Sequence, residues 1–107
     1  MRRREETHRR LQAEIAAEKA AALGRAGEQL EVALREVATC ATRLLAARDP
    51  AERVNHVEAY QRARARALQV RQWLLIQREA LGLRRHAVVD QQFPEPPTVA
   101  HLLGAAS

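Results

Sequence analysis

This 107-residue sequence predicts an all-α fold: a long antiparallel helical hairpin, coiled-coil-like, with a short C-terminal appendage that is part helical and part extended. Three observations predict it. Ala, Leu, Arg, Glu and Gln dominate while Gly and β-branched residues are scarce, a composition that favours helix over sheet. Apolar residues recur at intervals of three and four along two long stretches, the period of one helix face. Between those stretches stands Arg48-Asp49-Pro50-Ala51-Glu52, which reads as the end of one helix and the start of another.

The first helix is expected from about residue 5 to 48. Glu5–Arg9, Glu6–Arg10 and Glu31–Arg35 are i,i+4 pairs with the acid first, each worth about 0.2–0.5 kcal/mol. Leu23, Ala26, Leu30, Ala33, Leu34, Val37, Ala41 and Leu44 fall on one arc; before Leu23 the pattern thins to Leu11, Ile15 and alanines. Gly24 and Gly27 each cost about 1 kcal/mol relative to Ala. They predict a weak point, a bend or the close approach of another helix, in a segment that is otherwise continuous.

At the turn, Asp49 suits the N-cap, Pro50 the first helical position, and Glu52 the acidic position of a capping box. Pro50 also disfavours the α conformation at Asp49, which ends the first helix. A connection this short makes the two helices antiparallel neighbours.

The second helix is expected over about residues 50–81, roughly 48 Å long at 1.5 Å per residue. Its inner stripe is Val57, Tyr60, Ala63, Ala67, Val70, Leu74 and Leu81, and Gly82 is placed to end it in a Schellman turn with Leu83. Folding about Asp49 sets Leu81 opposite Ala17, so roughly the first dozen residues overhang the hairpin.

Within this helix Trp73-Leu74-Leu75-Ile76 places four large apolar residues in succession. At about 100° per residue they point in four directions, so a single partner helix covers Leu74 alone. Leu75 shares one flank with Leu68, Trp73 lies on the other, and Ile76 sits near the back. At least two of Trp73, Leu75 and Ile76 are therefore expected to be covered by the C-terminal tail, by a second subunit, or by both.

The tail supports that expectation. Residues 1–83 form the hairpin and residues 84–107 the appendage. In it, residues 84–90 suit a short helix, Phe93-Pro94-Glu95-Pro96-Pro97 an extended polyproline stretch, and Thr98 a cap on a last turn over residues 99–103 closed by Gly104. Val88, Val89, Phe93, Val99, Leu102 and Leu103 are more apolar content than a free tail needs, so it is expected to pack back near Trp73–Ile76.

Self-association is expected on energetic grounds. The sequence is 47% hydrophobic, but 22 residues are Ala and only Tyr60, Trp73 and Phe93 are aromatic. At about 25 cal/mol per Å² of apolar surface, a core so rich in Ala is thin, and association into a homo-oligomer is the usual remedy.

The charge is +5, carried by 17 Arg and one Lys, Lys19. Arg64, Arg71, Arg78 and Arg85 recur every seven residues, with Arg62 and Arg66 on the other side. A nucleic-acid reading makes these a phosphate-tracking surface, with Arg2-Arg3-Arg4 as a basic arm. The plainer reading, which we prefer, is of seam-edge arginines whose stems cover the core and whose heads pair with acids such as Glu31 and Glu36 or face water.

Chemistry is poorly supplied. Cys40, on the flank of the first helix's apolar arc, reads as a small buried hydrophobe, and a lone cysteine suits a reducing cytoplasm. Glu52, His56 and Glu58 miss the Glu-x-x-His spacing of a di-iron bundle because the residue three after Glu52 is Asn55. His8, His86 and His101 are scattered, the one serine is Ser107, and no Gly-rich phosphate loop follows a strand. No secretory leader or membrane span is predicted, since Arg2-Arg3-Arg4 runs into Glu5 and Glu6 and no apolar run nears the ~20 residues of a span. The expectation is a cytoplasmic, non-enzymatic interaction or scaffolding module with neither cofactor nor metal. It would act through self-association and a protein partner, with Trp73, Leu75, Ile76 and Leu68 at the interface. A nucleic-acid-binding accessory protein is the alternative.

Overall fold

The structure, a computed structural model, describes residues 2–106, so Met1 and Ser107 lie outside it. Four helices follow in order: α1 over Arg2–Ala46, α2 over Pro50–Ala80, α3 over Ala87–Gln92 and α4 over Val99–Ala106. The described residues contain no strand. α1 and α2 pack against each other as an antiparallel hairpin, and the molecule measures 74 × 22 × 14 Å. Its radius of gyration of 19.8 Å exceeds the ~13 Å of a compact chain of this length.

Each boundary has a local cause. Pro50 holds Asp49 extended, at φ −73° and ψ 128°, and the Asp49 carboxylate accepts the Glu52 N–H at 3.2 Å. Arg53 reaches back across the turn and donates to the Ala47 carbonyl at 3.3 Å, satisfying an acceptor at the end of α1. α2 ends in the expected Schellman turn: Gly82 has φ +82°, Leu83 N–H bonds to Arg78 O, and Gly82 N–H bonds to Glu79 O, both at 2.9 Å. Thr98 caps α4 by accepting the His101 N–H at 3.2 Å. Gly104 does not close that helix, which continues to Ala106.

Gly24 and Gly27 leave α1 unbroken. A β-carbon on either would meet nothing within 4 Å, so no helix approaches there. Neither a bend nor close packing explains these glycines; they are plain weak points in a long helix.

The core is the seam between the long helices. Ala26, Leu30, Ala33, Val37 and Leu44 of α1 meet Tyr60, Ala63, Ala67 and Leu74 of α2, and Tyr60, Leu30 and Leu44 are the largest side chains fully enclosed. All nine lie on the predicted stripes. Near the tip this core is closed by Val99, Leu102 and Leu103 from α4, and farther along by Val89 and Phe93. Residues 2–21 of α1 are exposed, and those before Ile15 run past the end of α2 as a single helix. The groove where Ala80 and Leu81 meet Ile15, Ala16 and Lys19 marks where the overhang begins, close to the predicted Ala17.

Candidate interaction surfaces

The tail runs back along α2, antiparallel to it, on one face of the hairpin, and the arginine stripe holds it there. Tyr60 Oη donates to Pro97 O at 2.6 Å, Arg64 Nε to Pro96 O at 3.0 Å, Arg71 Nε to Phe93 O at 2.9 Å, and Arg78 Nη2 to Arg85 O at 2.9 Å. As residue numbers fall along the tail they rise along α2, so successive helix turns grip successive carbonyls. An extended Pro-rich segment leaves its carbonyls without partners of its own, and guanidinium groups are donors only. The two chemistries fit without any base or phosphate present.

Arg71 is the centre of this strap. It is 7% exposed, and besides Phe93 O it contacts the carboxylates of Asp90 and, at 3.5 Å, Glu95. The sequence reading of seam-edge arginines assigned them acids on α1, Glu31 and Glu36; the strap supplies the partners instead, because its carbonyls and acids lie closer to these heads. Arg85 also departs from the heptad stripe. α2 stops at Ala80, so Arg85 lies beyond the helix and contributes its carbonyl as an acceptor. Burial lifts the Tyr60 phenol above its ordinary 10.0, while the Arg64 guanidinium pulls it the other way. Glu79 and the His86 ring, 3.1 Å apart, close the strap's upstream end.

The strap decides the fate of the apolar quartet. Leu74 is buried in the seam, and Leu75 packs among Val89 and Phe93 beneath the strap. Leu68, on the Leu75 flank, is half-buried. Trp73 and Ile76, by contrast, remain 54% and 45% exposed. Of the three outer residues the tail covers only Leu75, so cover for a second of them would have to come from another subunit. The reason is geometric, because Arg64, Arg71 and Arg78 lead the tail down the Leu75 flank, and Trp73 and Ile76 point to the opposite side.

That opposite side is the second surface. A shallow groove there is lined by Gln29, Gln69, Val70, Gln72, Trp73 and Ile76. A neighbouring depression brings Arg25, Glu28, Val32 and Glu36 of α1 beside Arg66 of α2. Val32 is 55% exposed. With its amide oriented to suit its neighbours, Gln77 donates from its nitrogen to Ala22 O at 3.1 Å and accepts the Trp73 indole N–H on its oxygen, which links Trp73 to Ala22. Arg62 and Arg66 are exposed on this side, so the six arginines singled out from the sequence divide: Arg64, Arg71 and Arg78 bind the strap, Arg85 belongs to it, and Arg62 and Arg66 face outward.

The residues weighed for chemistry stay apart. Cys40 is half-buried against the core, and the described residues hold no group of three His, Cys, Asp or Glu placed to share a metal ion. No helix among the described residues is long and apolar enough to cross a membrane. Sequence reasoning missed the strap contacts. The signal was present in an arginine heptad followed by a proline-rich segment with its own acids, but nothing in the sequence fixes which side of α2 the tail descends.

No protein-family model matches this chain, and neither a curated protein nor a solved structure matches it at a significant level.

Proposed function

We propose that this protein is a non-enzymatic helical interaction module whose working surface is the face opposite the strap. One observation carries the reading: Trp73 and Ile76 line an open groove on that face, beside a depression lined by the exposed Val32, whereas Leu30, Leu44, Tyr60 and Leu74 of the inner stripes are enclosed. A contiguous apolar patch rimmed by Gln and charged residues is the ordinary form of a protein-binding surface. The strap deepens the asymmetry by spending its apolar residues on the other face. An overhanging helix without a partner fits the same reading, since amphipathic helices gain most of their stability from packing.

Nucleic acid is the competing ligand for Arg62, Arg66 and the N-terminal arginines. Arg64, Arg71 and Arg78 already donate to the strap, so a phosphate-tracking surface built on them would have to displace it. The test is the native mass of the purified chain after nuclease treatment, compared with a Trp73→Ser, Ile76→Ser double variant and with Glu31→Ala, a change on the far side of α1. The expected result is a nuclease-resistant assembly lost in the double variant and kept in Glu31→Ala. An assembly that nuclease dissolves, with a steep salt dependence flattened by Arg62→Gln and Arg66→Gln, would favour nucleic acid instead. An assembly indifferent to the double variant refutes the assignment of this face.

A further inference from the structure

Resting on that reading, we propose that the occupant of the open face is a second copy of this chain, with α1 lying antiparallel on α1 about a two-fold axis between Ala21 and Ala22. The first support is the overhang. Residues 2–14 amount to about 20 Å of helix beyond the end of α2, and a helical segment that short is marginal without packing. Its large apolar residue, Leu11, is 52% exposed.

The direction of Leu11 is the second support. At 100° per residue, Ile15 points with Ala33 toward the seam and meets Ala80 and Leu81. Leu11 instead shares a helix face with Ala22, Gln29, Val32 and Glu36, about 80° around from the buried stripe. That is the side of the hairpin where Trp73 and Ile76 stand open. Leu11 therefore carries the open face onto the overhang, and a body packed on one continues over the other.

Charge order along this face selects the partner. Positions four, eleven, eighteen, twenty-five and thirty-two of α1, one heptad apart, are Arg4, Leu11, Glu18, Arg25 and Val32. Laid antiparallel on itself about the Ala21/Ala22 midpoint, this row puts Leu11 opposite the partner's Val32 and Glu18 opposite the partner's Arg25, each twice by symmetry. Glu14 then faces the partner's Gln29, and Arg4 comes within a turn of the partner's Glu36. A parallel in-register pair would instead set Glu18 on Glu18, Arg25 on Arg25 and Arg4 on Arg4, which like-charge repulsion opposes. Alanines at the axis allow close approach. Trp73, linked to Ala22 through Gln77, stands next to the crossing, where the partner's overhang covers it.

Thiol cross-linking with a short bis-maleimide tests the register, in the full chain with Cys40→Ala so that each added cysteine is the sole thiol type. Ala22→Cys lies at the axis and is expected to link copy to copy in high yield. Leu11→Cys alone and Val32→Cys alone are expected to stay unlinked, because each is about 31 Å along the helix from its own copy. Both together are expected to link again. Sedimentation of the unmodified protein and of charge variants gives a second measurement: Glu18→Arg or Arg25→Glu should weaken dimerisation about tenfold, and the two combined should restore it. A monomer at every concentration overturns the second-copy proposal, while nuclease-resistant loading of the same face by another protein would leave the interaction-module reading standing. A dimer in which Ala22→Cys does not link, or in which all three single cysteines do, overturns the antiparallel register.

Discussion

Replacing Arg71 with Gln separates the strap from the hairpin core, because Arg71 belongs to the strap's grip and to no part of the seam between α1 and α2. Its three contacts differ in weight. The carboxylates of Asp90 and Glu95 are 68% and 61% exposed, so solvent screens both pairs and each is worth about 0.2–1 kcal/mol. The bond from the charged Nε to the Phe93 carbonyl, at 2.9 Å, is of the charge-assisted kind worth roughly 1.5–3 kcal/mol. Relief of the buried guanidinium offsets part of that sum, leaving a net loss of about 2–3 kcal/mol. That loss falls on the strap, while the apolar packing of Val99, Leu102 and Leu103 near the tip remains. Hydrogen exchange reads it residue by residue. The amides of Phe93 and Asp90, bonded to Val89 O and His86 O, should exchange about 30- to 140-fold faster in the variant. Amides around Leu30 and Leu74 should hardly change. Arg71→Lys keeps the charge without the fork and should fall between. Unchanged exchange at Phe93 and Asp90 in Arg71→Gln would refute the claim that the guanidinium holds the strap.

Further outcomes follow from single positions. Gly24→Ala and Gly27→Ala should each raise stability by about 0.5–1 kcal/mol in urea unfolding, since the added β-carbon meets nothing within 4 Å; a loss would mean that side of α1 is occupied in solution. Asp49→Ala removes the acceptor of the Glu52 N–H and should cost about 0.5–2 kcal/mol, while Asp49→Asn should cost far less. Tyr60→Phe should cost about 0.5–1.5 kcal/mol through the lost bond to Pro97 O. Tyr60 also sets an alkaline limit: its pKa is raised above 10.0 by burial, so above pH 10 the unfolded chain releases this proton first and stability falls as pH rises. Below pH 10 the contribution is fully present. As the chain's one tyrosine, its phenolate absorbance reports this directly, and Tyr60→Phe should remove that part of the alkaline loss.

The elements were legible because local rules fix them. Asp49-Pro50 stops one helix and starts the next whatever surrounds it, and Gly82 adopts the positive φ that a Schellman end requires. The inner stripes were legible for a similar reason: a 3.6-residue period has one face to bury, and Leu30, Leu44, Tyr60 and Leu74 lie on it. Arg71 was not legible as a buried residue. Taken alone it is a charge on the edge of a helix, and only carbonyls contributed from some twenty residues downstream make its burial tolerable.

By itself, then, the amino-acid sequence determined two long helices, their antiparallel pairing, the overhang and the identity of the seam. Each follows from hydrogen bonds and side-chain periods that close within a few residues. The tertiary structure alone decided which flank of α2 the tail descends, and with it which members of the quartet are covered. Both flanks offered apolar surface, Leu68 and Leu75 on one and Trp73 and Ile76 on the other, so hydrophobicity did not discriminate. The choice went to the flank where Tyr60, Arg64, Arg71 and Arg78 present donors in step with the strap's carbonyls, because an extended Pro-rich chain buried without such donors would leave its acceptors unsatisfied.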